Sequence, residues 1–353
     1  MDFFKPVVPE EKFHLNFARS LLRDRVGERE EFARWAEGFP DRDNKLVREF
    51  QTTFNSSFWE VYLHGLFKEY AFEMNWSHAS PDFWLTTPFG EVIVEAVTAN
   101  AAQGATPEWL KSSPMTENVH RKEFWPLNRE AIIRLSNALL DKWKKYNSHY
   151  RVLAHVPGKP FVVAIAPFEQ PDFQYQYDRP MRALLYDDYV DEDACTRHPE
   201  LFPNGPPNVS LGSVEKDNGR SIDLGIFNND AWSEVSAVMY SCVATWGKTI
   251  AMSTRPRLGE ITTTWSTSSN GASRARISGI GVPSETISDG LQIFHNPNAR
   301  YPLDLQIFRR DGVVQHYRSS SGWEREGYDA CLQSRTAATI GLIHSDEMKQ
   351  CQR

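Results

Sequence analysis

Cysteine is scarce in this chain of 353 residues, and the four present, Cys195, Cys242, Cys331 and Cys351, are scattered with no C-x-x-C pair among them. A zinc knuckle or a thioredoxin-like redox pair is therefore unsupported, and reduced structural thiols are the expectation. No apolar stretch approaches the ~20 residues that a membrane-spanning helix needs. The first residues, MDFFKPVVPEEK, lack the charged-then-apolar layout of a signal peptide, so the sequence predicts a cytoplasmic protein with no membrane partner. There is no G-x-S-x-G elbow, no glycine-rich phosphate loop of the Walker or Rossmann type, and no histidine pair at zinc spacing. Positive charge is not in excess either: 39 Lys and Arg stand against 46 Asp and Glu, a net of −7. A nucleic-acid substrate would have to be held by a local basic surface, because no global field attracts it.

What the chain does have is material for a large core: 41% hydrophobic residues, with 11 Trp and 21 Phe. Its length suits about two ordinary domains, or one large domain with insertions. Ser80 to Asn100, SPDFWLTTPFGEVIVEAVTAN, contains two strand-like runs with a carboxylate at one end of each, Asp82 and Glu95. Thr87-Pro88-Phe89-Gly90 between them reads as a hairpin turn, since glycine supplies positive φ and proline cannot continue a ladder. Antiparallel pairing across that turn would bring Asp82 and Glu95 to the same end. Two carboxylates so placed can share a hard cation such as Mg²⁺, which takes oxygen ligands at roughly 2.1 Å. The plainer alternative is that Asp82 caps a turn after Pro81 and Glu95 is a solvated strand residue. Glu95, however, stands within Val92-Ile93-Val94-Glu95-Ala96-Val97, a run of the kind buried on both faces. A carboxylate there must be paired, protonated or metal-bound.

Pro81-Asp82, with Glu95 thirteen positions later, resembles the PD-(D/E)xK nuclease superfamily, whose members share the restriction-endonuclease-like fold. The resemblance covers roughly Gln51 to Phe168. It implies that Asp82 and Glu95 are Mg²⁺ (or Mn²⁺) ligands on adjacent strands, with a main-chain carbonyl at Ala96 or Val97 as a further ligand. It also implies a catalytic glutamate on the preceding helix, and Glu60 in NSSFWEVYL matches that position. The family's lysine, two residues after the second acid, is replaced here by Val97. A lysine reaching back from the next helix could restore the cation: Lys142 by its place on the helix, or Lys122. Thr98, Asn100 or Gln103 could instead bond the phosphate or water. With none of these, the fold would be a catalytically inactive remnant that binds nucleic acid or protein. In a third reading the fold is an unrelated α/β enzyme, with Asp82 and Glu95 too far apart to share a cation.

Around this stretch, residues 1–50 read as an N-terminal helical extension whose charges (Arg19, Arg23, Arg25, Glu28, Glu30, Glu31) form a solvated face. Residues 51–170 read as the nuclease-like core. It begins with a helix from about Ser56 to Tyr70, capped by Asn55 or Ser56, and a second helix runs from Arg129 to Tyr146 behind an Asn128 cap. On that second helix Ile132, Leu135, Leu139, Trp143 and Tyr146 share a stripe, and Lys142 points nearer to it than Lys144 or Lys145. Phe161 to Ala166 is a continuous apolar strand. Residues 171–229 read as an irregular insertion, and 230–353 as a continuation of the sheet followed by a β-rich region. In that last part, 232–243 is expected as a helix, 248–252 as a strand and 258–278 as an exposed loop. Short strands are expected over 291–294, 303–308 and 313–317, and the turn His295 to Ala299 is either plain turn chemistry or part of a site. Trp109, Lys111, Trp125, Arg129, Trp143 and Lys144 alternate aromatic and basic character in a way that suits base stacking. The expected whole is an α/β protein with a mixed central sheet flanked by helices, and helical N-terminal and β-rich C-terminal additions. Its expected activity is metal-dependent phosphodiester hydrolysis.

Overall fold

The computed structural model describes residues 1–102, 104–110, 123–267 and 273–339. Its centre is an eight-stranded mixed sheet: β1 (Glu73–Met74), β2 (Phe83–Thr87), β3 (Gly90–Thr98), β4 (Phe161–Ala166), β5 (Ala237–Tyr240), β6 (Gln292–His295), β7 (Val314–Ser319) and β8 (Gly322–Glu326). The strands lie side by side in chain order. β1, β2 and β3 form an antiparallel meander, whereas β3, β4 and β5 run parallel. A parallel pair needs a long crossover, and the helix α5 (Trp125–Ser148) supplies it between β3 and β4. β4 is buried along its whole length, as its unbroken apolar run requires.

Four helices precede the sheet: α1 (Leu15–Ser20), α2 (Val26–Ala36), α3 (Leu46–Thr52) and α4 (Asn55–Glu69). Their aromatic residues Phe17, Phe32, Phe50 and Phe58 are buried in the same hydrophobic cluster as β3 and β4. The solvated face expected of α2 is only partly present. Glu28 and Glu31 are buried, Glu28 paired with Arg25 and Arg257 and Glu31 with Arg34 and the indole N–H of Trp35. Among the described residues no helix is long and apolar enough to cross a membrane.

Both expected helix caps differ from what is found. Phe54, with no side-chain bond, stands at the start of α4, and Asn55 lies inside the helix, accepting from Asn16 at 3.4 Å. α5 begins at Trp125 with Pro126 in its first turn, and Asn128 is buried within it, donating to the Tyr189 hydroxyl at 3.2 Å. The cap comes from a distance: Asp193 Oδ1 and Oδ2 accept the Phe124 and Trp125 main-chain N–H groups, each at 2.7 Å.

Other elements change type. Within 232–243 the chain forms strand β5, because the buried run Val235 to Val243 slots between β4 and β6, and a short apolar run does not by itself distinguish strand from helix. Residues 246–252 are helical, started by Thr245, whose side chain accepts from the Gly247 N–H at 3.2 Å. The stretch 258–278 contains two paired strands, Gly259–Ser266 and Ser273–Gly279, with Leu332–Thr339 on the other side of the first. Ile261, Thr263 and Trp265 are buried while Glu260 and Thr262 are exposed, a period-2 pattern carried largely by Thr. Residues 303–308 form no strand: Asp304 accepts the Gln306 N–H at 2.8 Å, and this local bond replaces a ladder. Between 171 and 229 lie the helices Arg179–Tyr186 and Glu192–Arg197 beside short two-stranded pieces.

Candidate functional site

β2 and β3 pair with Phe83 opposite Val94 and Thr87 opposite Gly90, leaving Pro88-Phe89 as a two-residue loop. Gly90 has φ 124°, the backbone region that favours glycine, and the Thr87 hydroxyl closes the turn by donating to the Gly90 carbonyl at 2.7 Å. This register sets Asp82 beside Glu95 at the far end of the hairpin. Asp82 Oδ2 accepts the main-chain N–H of Ala96 at 2.8 Å, which fixes its carboxylate next to that of Glu95.

Glu95 is 1% exposed, and three donors converge on it. Lys142 Nζ lies 2.7 Å and Lys145 Nζ 3.0 Å from Oε1, and the Tyr150 hydroxyl donates to Oε2 at 2.9 Å. Lys142 and Lys145 are three residues apart on α5, so one helix face presents both. Tyr150 follows immediately after that helix, and Lys145 Nζ also sits 4.9 Å from its ring centroid. The lysine side chains are 19% and 48% exposed, so Lys142 is the more deeply held.

The three acids differ sharply in proton affinity. For Glu95, burial favours the neutral form, but the two ammonium groups outweigh it and hold the carboxyl below its usual range. Asp82 is pushed up to about 6, first by burial and then by the charge of Glu95, against the pull of Lys142, the Ala96 N–H and Lys145. Glu60, on α4, is pushed up to about 8 by burial and by Asp82, with Arg42 acting the other way. At neutral pH the cluster thus comprises an ionised Glu95, a largely ionised Asp82 and a mostly protonated Glu60. Burial and the neighbouring Glu95 carboxylate also raise the Tyr150 phenol, keeping it a hydrogen-bond donor.

Lys142 therefore reaches Glu95, and Asp82 lies beside that acid across the hairpin; Glu60 is close enough for Asp82 and Glu95 to raise its proton affinity. Val97, half-buried, shares the Glu95 face of β3 by strand alternation, and its side chain brings no charge. Thr98 is half-buried and Asn100 exposed; Gln103, Lys111 and Lys122 lie outside the described residues. Lys145, Tyr150 and Arg42 were not among the candidates. The i, i+3 relation to Lys142 could have pointed to Lys145, but nothing local marks Tyr150 or Arg42.

Several aromatic candidates are used in packing. Trp143 lies against Trp232 at 5.4 Å, Trp109 against His14 at 4.4 Å and Trp125 against Tyr189 at 5.3 Å between ring centroids. In the 295–299 turn Asn296 Oδ1 accepts the Asn298 N–H at 2.9 Å, which is turn chemistry, while the Asn296 amide donates to the carbonyls of Trp232 and Val235 and ties the turn to the segment before β5. Cys195, Cys242 and Cys331 are free thiols, and Cys351 lies outside the described residues.

Among the described residues no three His, Cys, Asp or Glu side chains stand close enough together to hold a metal ion. A donor set for a hard cation would comprise Asp82, Glu95 and a carbonyl at Ala96 or Val97, with water completing the shell. The acids suit that role electrostatically. Asp82 and Glu60 are raised by burial and by neighbouring carboxylates, and a divalent cation relieves both. Such a cation would have to displace an ammonium group from Glu95 Oε1.

Compared with protein-family models, with curated proteins and with solved structures, the chain finds no match in any of the three.

Proposed function

We propose that this protein is a Mg²⁺- or Mn²⁺-dependent nuclease built on a restriction-endonuclease-like core, with Asp82 and Glu95 as metal ligands, a carbonyl at Ala96 or Val97 beside them, and Glu60 as the third acid. The order of elements supports the core: α4 with Glu60, the meander β1–β3 with Asp82 and Glu95, then α5, then β4 parallel to β3. The observation that carries the reading is Lys142 Nζ at 2.7 Å from Glu95 Oε1. That contact supports a role for Lys142 as the cation that Val97 cannot supply. Bound there, the metal would polarise the scissile phosphate and lower the pKa of an attacking water. Lys142 and Lys145, freed from Glu95 Oε1, would face the phosphate and offset charge developing on it. Glu60, whose proton affinity burial and Asp82 raise while no metal is bound, could orient the water and exchange a proton with it. A nucleic-acid partner and a cytoplasmic setting belong to this reading.

A second reading has its own observation. Both oxygens of Glu95 are already bonded, so the cluster also suits a closed ion-pair network in a nuclease-like fold that binds without catalysis. Calorimetric titration of Mg²⁺ and Mn²⁺, run alongside plasmid and single-strand cleavage assays, separates the two. The nuclease reading expects metal binding and cleavage, both lost in Asp82→Asn/Glu95→Gln. Absence of divalent binding even with nucleic acid present would overturn it in favour of the binding protein.

A further inference from the structure

Beside the carboxylates lies a group of rings that the catalytic reading does not use. The exposed imidazole of His78 lies parallel to that of His155, 3.8 Å away with an interplanar angle of 7°. Trp84 flanks both, at 5.3 Å from His155 and 5.8 Å from His78. His155 is buried and bonded through Nε2 to the Ser80 carbonyl at 3.1 Å, so the inner ring is anchored to the segment that leads into Asp82. Burial, then His78 and Lys159, hold its pKa below the usual histidine range, which keeps it a neutral stacking surface at pH 7. Trp84 is fixed by its indole N–H to Glu91 Oε1 at 2.7 Å, with Lys159 Nζ 5.2 Å from the ring centroid. Arg42 donates to the His78 carbonyl at 3.1 Å and lies 5.5 Å from the Trp76 ring, holding the His78 segment in place.

Strand geometry relates this group to the acids. Trp84 is two residues from Asp82, so it faces the same side of the sheet at roughly 7 Å along the strand. A base stacked on the rings would carry its phosphate toward Asp82 and Glu95. Among the described residues the cations available there are few, Arg42, Lys159 and the two lysines already shared with Glu95, and the chain as a whole is acidic. Duplex binding relies on many phosphate contacts. Single-strand binding can instead draw on stacking, because an unpaired base offers its π face whatever its identity.

We propose that the site takes single-stranded nucleic acid, and that His78, His155 and Trp84 form the platform on which a base next to the scissile phosphate stacks; the inference rests on the nuclease reading of the Asp82–Glu95 face. The test is fluorescence anisotropy of the full chain without divalent cations, so that nothing is cut, using labelled oligodeoxyuridine, oligouridine and a duplex of equal length. Single strands should bind more tightly than the duplex, and the two homopolymers show whether deoxyribose or ribose is preferred. His78 is exposed, so His78→Ala leaves the fold intact and should weaken single-strand binding roughly 5- to 150-fold, the worth of one stacked base. His78→Phe, which keeps a ring in place, should restore it. A duplex that binds as tightly as the single strands, or a His78→Ala protein with unchanged affinity, would overturn the proposal. Single-strand binding that depends on His78 but is accompanied by no metal-dependent cleavage would leave the platform standing and remove the nuclease. Cleavage of duplex without any single-strand preference would do the reverse.

Discussion

Neutralising one acid of the cluster should stabilise the protein at neutral pH, and the effect should vanish in acid. Folding lifts Asp82 from an ordinary 3.8 to about 6, and Glu60 from 4.5 to about 8. The folded chain then binds more protons than the unfolded one, so the stability slope with pH is negative between those values. For Asp82 the contribution is full below about pH 4 and lost by about pH 6; for Glu60 it is lost by about pH 8. At about 1.4 kcal/mol per pH unit, Asp82 accounts for about 3 kcal/mol and Glu60 for about 5 kcal/mol. The two interact, so their joint effect falls short of the sum. Urea unfolding followed by tryptophan fluorescence, at pH values from 4 to 9, measures this for wild type, Asp82→Asn and Glu60→Gln. The wild-type stability minus that of Asp82→Asn should fall by about 3 kcal/mol from pH 4 to pH 7. Taking the difference cancels buried histidines such as His14, whose pKa is lowered to about 4 and whose contribution is lost in the opposite direction, as pH falls. On the nuclease reading, saturating Mg²⁺ should flatten the wild-type curve, because a bound cation would take over the role of the protons. A difference curve that stays level or rises between pH 4 and pH 7 would refute the placement of Asp82 in a buried acidic cluster.

Removing both cations of Glu95, in Lys142→Ala/Lys145→Ala, should cost about 3–5 kcal/mol in urea unfolding, since a buried carboxylate is left with Tyr150 alone. Lys145→Ala by itself should cost under about 1 kcal/mol because that side chain is half exposed; equal losses from the single and double variants would contradict the shared-anchor geometry. If the protein is the proposed nuclease, Val97→Lys introduced into Lys142→Ala should recover roughly tenfold or more of a ~10²–10³-fold loss in metal-dependent cleavage. A variant that folds and binds metal but recovers nothing would show that the cation on α5 does not act as the family lysine does. Asp193→Ala should lower stability by about 1–2 kcal/mol, because two main-chain N–H groups at the start of α5 lose their acceptor. Unchanged urea midpoints would mean that water replaces it.

The hairpin and its two acids were legible because their signals are local: a Pro-Phe turn ending in glycine fixes the register, and the register fixes Asp82 against Glu95. Lys142 was legible through helical periodicity, which shows the face a residue lies on without showing what lies opposite. Tyr150 and Arg42 enter the cluster through tertiary packing, and no pattern of neighbours announces that. Misread elements have a similar origin. β5 is short and apolar enough to suit either period, and the Thr-rich strand Gly259–Ser266 carries its alternation in residues that are not conspicuously apolar. Asp193 caps α5 from 68 residues away, so the helix start could not be read from its own flanks.

Because the strands of the sheet lie in chain order, each one emerges from the ribosome before the neighbour that will cover its second edge. The widest gap follows β4: its next partner begins at Ala237, 71 positions after Ala166. At about 5–20 residues per second, a nascent chain would hold β4 with one edge unpaired for roughly 4–14 s. Every residue of β4 is also apolar and buried in the finished protein. Chains that stop between these two strands would therefore present a fully apolar open edge, the template on which strands of other molecules add. Translation pauses or premature stops within 170–230 should yield aggregates, whereas stops after 300, with β5 and β6 in place, should yield far fewer.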